Sequence, residues 1–414
     1  MNQPPSVFEA LLLWFKIGCL SFGGPSGQIA LLHTEIVEKR AWVSDEEFVR
    51  ALQFCMLLPG PEAQQLATYL GWRLHGIKGG IVAGALFLLP AVVLLWGLSF
   101  LYVNGQSWPL FMAFFAELKP AVVAIVAAAC WRIGKRMVTT AKLTVIALIA
   151  LALFSFTHVS FPLIVLGFGL FGACTPKEKR NLPFLPESPS VTWSHSLITA
   201  FSIIALWIMP MALLLLWLGH QALPVKVGFE FAKVAVMSFG GAYAALSYVS
   251  LHAAGDWGWI TSGQMMDGLG LAETTPGPLL IALQYVAFLA AYKTPGVLSP
   301  LGAATLASLT ASWSLFLPSF VWIFSLAPHM EQLGRNPRIA GALSAIGAVV
   351  TAVIAHLALW FAGSLFFPHG TLESADWMSV LIALASFLVL QSKRIGMIPV
   401  ILLSGLIGMV VKIV

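Results

Sequence analysis

The chain has 414 residues, of which 59% are hydrophobic and 9% charged, with a mean hydropathy of +0.90 and a formal net charge of +5. Soluble domains carry about 25% charged residues, so this composition excludes a chain solvated by water on every side and calls for lipid as solvent. The small positive excess fits the cytoplasmic loops of a membrane protein better than nucleic-acid binding.

In chain order, residues 1–6 are polar without a basic n-region, so the first apolar run is expected in the mature fold. That run, Val7 to Phe22, would make about 24 Å of helix at about 1.5 Å per residue, short of a hydrocarbon core of about 30 Å. Ser21-Phe22-Gly23-Gly24-Pro25 then breaks it. Phe48 to Leu58 is shorter still and ends at Pro59-Gly60-Pro61. Gly and Pro free backbone groups that lipid cannot satisfy, so such breaks belong under protein or beside a polar cavity. Residues 7–38 and 44–76 are therefore expected as two re-entrant hairpins with tips near the midplane. Spans follow at 80–103, 108–131, 139–157 and 158–174. A polar, Pro-rich linker, KEKRNLPFLPESPS, leads to one linking span at 195–219.

After the linking span the pattern returns. FKIGCLSFGG, ending at Gly24, aligns with AKVAVMSFGG, ending at Gly241. The offset of 217 residues pairs Lys16 with Lys233, Ser21 with Ser238, Trp42 with Trp259 and Gly60 with Gly277 without a gap. The second copy predicts hairpins at 225–252 and 261–292 and spans at 301–327, 338–361, 374–391 and 396–413. Leu-Pro at Pro90 and Pro318 implies an insertion between them of about eleven residues. The expected domains are 1–180, a linker and linking helix at 181–220, and 221–414.

Charge fixes the expected orientation. Arg132, Lys135, Arg136 and Lys142 mark one loop as cytoplasmic, as do Lys177, Lys179 and Arg180 in the linker. Residues 362–374, the second-copy counterpart of the first loop, carry no Lys or Arg and belong outside. Arg335, Arg338, Lys393 and Arg394 belong inside. The fold class expected is an all-α polytopic membrane protein with two inverted-topology repeats, each with two broken re-entrant hairpins plus about four spanning helices. The N-terminus is expected in the cytoplasm and the C-terminus in the periplasm.

Inverted repeats with discontinuous helices point to a transporter whose site lies where the repeats meet. Four half-helices begin after Gly24, Gly60, Gly241 and Gly277, each presenting free N–H groups and roughly half a positive charge. Four converging ends would suit a dianion. The candidate substrate-binding set is Lys16, Ser21, Phe22, Gly23, Gly24, Ser26, Gln28, Pro59, Gly60 and Gln64, with Lys233, Ser238, Phe239, Gly240, Gly241, Thr275, Pro276 and Gly277 from the second copy. The hydroxyls and amides in it serve equally well to satisfy freed backbone. Each Lys could instead pair with a local carboxylate such as Glu9 or Glu230. Glu62 and Glu273 are candidates for proton coupling, Glu62 also fitting simple charge complementation at a helix start. An Arg50–Asp267 pair across the pseudo-twofold is a further reading.

Neither the nine histidines nor Cys19, Cys55, Cys130 and Cys174 show metal-ligand spacing, so no metal or cofactor is expected. The Gly-rich lysine motif of nucleotide-driven pumps is absent, which argues against ATP drive within this chain. No paired catalytic carboxylates support a membrane enzyme acting on lipid phosphate.

SFGGPSGQIA from Ser21, LLPGPEAQQLATYLGWR from Leu57, and the second-copy SFGGAY and TPGP together resemble the chromate ion transporter family in its long, two-domain form. The resemblance spans essentially the whole chain. It implies secondary active export of chromate, a sulfate-like tetrahedral oxyanion, across the bacterial inner membrane, with a proton or sulfate as counter-ion. Sulfate transport or exchange and a passive anion channel stay open as alternatives, and so does a homo-oligomer. The copies differ at Pro25/Ala242 and Glu62/Leu279, so the halves need not contribute equally.

Overall fold

A computed structural model describes residues 5–157, 159–175, 193–239, 242–330, 336–392 and 394–413. Most of the linker, Gly240 and Gly241, Arg335 and Lys393 lie outside the described residues. Among those described the chain is all α-helical.

Every expected break is present. α1 (Val7–Leu20) stops at Ser21, and Gly23 and Gly24, at φ 85° and 68°, turn the chain into α2 (Gly24–His33). Such positive φ values are open to Gly at no steric cost. α2 widens into one π turn, Thr34–Glu38. α3 (Asp45–Cys55) ends before Pro59-Gly60-Pro61, and α4 (Glu62–Gly105) follows. α4 is itself two helices, split where His75 and Gly76 leave helical geometry, as the hairpin boundary at 76 anticipates. α5 (Pro109–Met137), α6 (Ala141–Phe156) and α7 (Phe161–Cys174) complete the first half. α8 (Trp193–Leu218) links it to the second.

There α9 (Leu223–Met237) and α10 (Ala242–Ala254) flank the second SFGG. α11 (Ser262–Glu273) precedes the second PGP, a 3-10 turn (Leu279–Ile281) follows it, and α12 (Ala282–Lys293) continues. α13 (Pro300–Leu326), α14 (Pro337–Phe366), α15 (Trp377–Gln391) and α16 (Met397–Ile413) end the chain.

Pro61 and Pro278 stand just before the first helical residue, and the helix lengths depart from expectation. The expected spans at 139–157, 158–174, 374–391 and 396–413 are helices of 16, 14, 15 and 17 residues. At about 1.5 Å per residue the longest reaches only about 26 Å. Five helices are long and apolar enough to cross alone among the described residues: α4, α5, α8, α13 extended to His329, and α14.

The short pairs exchange partners between the halves. α6 and α7 pack on α14, whereas α15 and α16 pack on α5. Small residues let these backbones approach, as expected where lipid gives no hydrophobic drive between helices. A methyl placed on Gly172 or on Gly341 would clash with the other's carbonyl oxygen, and one on Gly408 with that of Ala113. The Ser404 hydroxyl donates to the carbonyl of Glu117 on α5.

The long helices carry Pro90 and Pro318, and each proline removes the partner of a carbonyl four residues earlier. Both carbonyls are covered by neighbours. Gly18 of α1 lies against the Leu86 carbonyl, and the Trp207 indole of α8 donates to the Ser314 carbonyl at 3.2 Å. An unsatisfied carbonyl in lipid would be penalised by several kcal/mol, so the Trp207 bond fixes how α8 sits, while Gly18 lets α1 approach α4 closely.

Candidate functional site

The breaks meet. The Gly60 N–H donates to the Ser238 carbonyl at 3.1 Å, and the Gly277 N–H donates to the Ser21 carbonyl at 3.0 Å. Ser21 and Ser238 are aligned positions, as are Gly60 and Gly277. Each PGP is thus tied to the SFGG of the other half by the same bond. Gln28 of α2, 1% exposed, reinforces one side, its amide donating to Ser21 O at 3.2 Å and Gly277 O at 2.5 Å.

The approach is reciprocal in its sterics too. A Cβ on Gly277 would lie 2.4 Å from the Ala91 Cβ, and one on Gly60 would lie 3.2 Å from the Ser319 hydroxyl. Ala91 and Ser319 each follow the mid-helix proline of the opposite half. Only Gly fits at these two crossings, where φ is 120° at Gly60 and 96° at Gly277.

The crossing occupies much of the expected donor set. Ser21 Oγ donates to Gly18 O and accepts from the Gly277 N–H at 2.9 Å. Ser238 Oγ donates to Ala235 O, Thr275 Oγ1 to Ala272 O, and the Gln64 amide to Phe316 O. These side chains satisfy freed backbone. Pro59 and Pro276 are buried beside the crossing, while Phe22 is exposed and Phe239 half-buried. Ser26 is exposed, with a hydroxyl that has no partner among the described residues.

The helix starts at the tips remain open. α2, α4 and the 3-10 turn after Pro278 have no side-chain cap. α1, α3, α6, α11, α13 and α14 are capped by Ser6, Ser44, Thr140, Thr261, Ser299 and Asn336, while α5, α7 and α9 also start without a side-chain cap. Uncapped starts leave N–H groups and the positive end of the dipole for something else to meet.

The charged candidates are placed apart from the crossing bonds. Lys16 is 50% exposed and pairs with Glu35 at 3.2 Å; Lys233 is 59% exposed and pairs with Glu230 at 2.7 Å. Glu35 also takes Lys39 at 2.9 Å and Arg40 at 2.5 Å. These contacts hold its carboxyl down to about 2, Lys39 contributing most and burial opposing. Arg50 does not reach Asp267: it pairs with Glu46 at 3.8 Å, and Asp267 pairs with Lys119 at 3.8 Å. The alignment makes Arg50 and Asp267 equivalent, and equivalent positions face each other only when they lie on the axis.

Glu62 opens α4 with no hydrogen bond or ion pair among the described residues, and Arg136 is the cation within electrostatic reach. Glu273 is buried, accepts from the Tyr243 hydroxyl at 2.9 Å, and lies within reach of Arg132. Arg132 and Arg136 are exposed and one helical turn apart on α5. Sequence reasoning used them only to orient a loop. Their i, i+4 spacing is the signal that could have paired them with two carboxylates beside the breaks.

The family model described as Chromate transporter matches residues 8–173 and again 225–409, on either side of α8. The chain belongs to the chromate transporter family. Within that family it is 30% identical to a chromate transport protein of Pseudomonas aeruginosa, an alignment covering 99% of this chain and 93% of the relative. A probable chromate transport protein of Synechococcus elongatus is 27% identical, with 85% and 84% covered. A chromate transport protein of Cupriavidus metallidurans is 26% identical, with 85% and 83% covered. No solved structure matches. A chromate transporter is a membrane transporter and not an enzyme, and the long apolar helices make this one multi-pass.

Proposed function

We propose that the chain is a secondary active transporter that exports chromate across the bacterial inner membrane by alternating access. The oxyanion is held where the two halves cross. One observation carries this reading: helix starts without caps converge on reciprocal bonds between Ser21 and Gly277 and between Ser238 and Gly60. The Gly60 and Gly277 N–H groups tie the halves together, so the donors left for the anion are the first N–H groups of α2 and α4 and the Ser26 hydroxyl. A dianion there is favoured by the dipoles. Arg132 and Arg136 sit on the cytoplasmic approach and draw it in, with Lys16 and Lys233 adding to the attraction at the rim. Glu62 and Glu273, beside the same breaks, are the carboxylates whose charge competes with the anion.

The two halves are proposed as inverted copies, 1–180 and 221–414, which rock against each other about the crossing. The N-terminus then lies in the cytoplasm and the C-terminus in the periplasm. Chromate and sulfate are both tetrahedral dianions, and one site of this kind would accept either.

The test is flux in vesicles containing the purified chain. Chromate uptake should saturate, be competed by sulfate and respond to an imposed pH gradient. Uptake proportional to concentration without saturation would indicate a passive channel. Saturable uptake indifferent to the gradient would exclude proton coupling through Glu62, Glu273 or any other carboxylate and leave sulfate exchange.

A further inference from the structure

A second polar cluster lies inside the helical core, built by four helices around Asp267. Asp267 of α11 is 1% exposed. Tyr102 of α4 donates to its Oδ2 at 2.7 Å. Its Oδ1 is buried and accepts no hydrogen bond, and Lys119 of α5 stands 3.8 Å from it, too far for one. Tyr285 of α12 packs edge-on to Tyr102 with ring centroids 5.3 Å apart, and its buried hydroxyl faces that of Tyr102 without a hydrogen bond of good geometry. Two residues before Lys119, Glu117 has a buried, unpartnered Oε2 and faces Asp376 at the start of α15. Tyr243, from α10, is taken by Glu273 instead. Lys119 is ten residues into α5, about 15 Å along it, and its ammonium lies beside Gly263 in the first turn of α11.

A buried carboxylate kept for structure fills both oxygens. Here, among the described residues, one oxygen makes no hydrogen bond and is balanced only by a loose ion pair, the Lys119 ammonium at 3.8 Å. A metal cation does not fit, because the Lys119 ammonium would repel it. A proton fits. It neutralises the carboxylate at Oδ1 and releases Lys119 from its only counter-charge there among the described residues. The cluster has no counterpart in the first half, where Arg50 holds the position of Asp267 and pairs with Glu46. The tip bonds are reciprocal; this device is not.

We propose that Asp267 is a buried proton-binding group, with Lys119 as its exchange partner, through which the pH gradient acts on the transporter. A proton taken from water on one side binds Oδ1, giving the neutral acid, and leaves to the other side as the carboxylate re-forms with Lys119. Coupling rests on the transport reading above; proton binding does not.

Two measurements separate them. In an infrared acid titration of the detergent-solubilised full chain, one carboxylic acid carbonyl band should be missing in Asp267→Asn and titrate at a shifted pH in Lys119→Gln. Spectra identical to wild type would overturn the proposal. In vesicles, Asp267→Asn should keep chromate counterflow and lose the response to a pH gradient. A retained response, or loss of counterflow as well, would overturn the coupling role. If the wild type moves no chromate, the transport reading fails, and the infrared result still decides whether Asp267 binds the proton.

Discussion

Replacing Gly277 by Ala perturbs the crossing at its tightest point. The residue sits at φ 96°, and the new Cβ would lie 2.4 Å from the Ala91 Cβ. The backbone strain is worth about 1–2 kcal/mol. Overpacking a well-filled site adds about 1–3 kcal/mol. The total is roughly 2–5 kcal/mol. Gly60→Ala, at φ 120°, meets the Ser319 hydroxyl and the Gln65 amide that donates to the Pro59 carbonyl, so backbone strain plus that one bond, about 2–3 kcal/mol, is expected. Ala91→Gly should relieve the steric part of Gly277→Ala and leave the strain, giving a coupling of about 1–3 kcal/mol in a double-mutant cycle. The assay is thermal unfolding of purified protein in detergent, alongside chromate resistance of cells at equal expression. Gly363→Ala is the control, since nothing lies within 4 Å of a methyl there. If Gly277→Ala is as mild as the control, or if Ala91→Gly gives no relief, the crossing described here is wrong.

Other outcomes follow from single contacts. Ser21→Ala removes one of the two acceptors of the Gly277 N–H and keeps the carbonyl, so unfolding should be easier by about 1 kcal/mol. Gly341→Leu should separate α14 from α7, where their backbones touch, and lower folded yield in detergent more than the same change at Gly363. Glu35 carries a carboxyl lowered from 4.5 to about 2, chiefly by Lys39. Its contribution is therefore complete above 4.5 and lost as pH falls toward 2. The melting temperature should drop across that window in the wild type and by less in Glu35→Gln.

The breaks were readable because Gly and Pro act locally: SFGG and PGP stop helices whatever surrounds them. The repeat was readable because Lys16, Trp42 and Gly60 hold one register with their partners. What joins the tips was not readable, since the Gly60–Ser238 and Gly277–Ser21 bonds link residues far apart in sequence and use backbone atoms that every residue has. Symmetry also misled. It suggested Arg50 for Asp267, whereas the cation that arrives, Lys119, sits on α5 and shares no register with α11. α6, α7 and α15 begin two or three residues later than expected, because Thr140, Ser160 and Asp376 stand just before the first helical residue.

The central claim is that the oxyanion sits between the two halves at the crossing. The most direct measurement is an electron cryo-microscopy map of the purified chain with chromate bound. Density for the anion is expected at the uncapped starts of α2 and α4, beside Ser26 and within reach of the Ser21–Gly277 and Ser238–Gly60 bonds. Density confined to Arg132 and Arg136, with the crossing unchanged and empty, would contradict that claim.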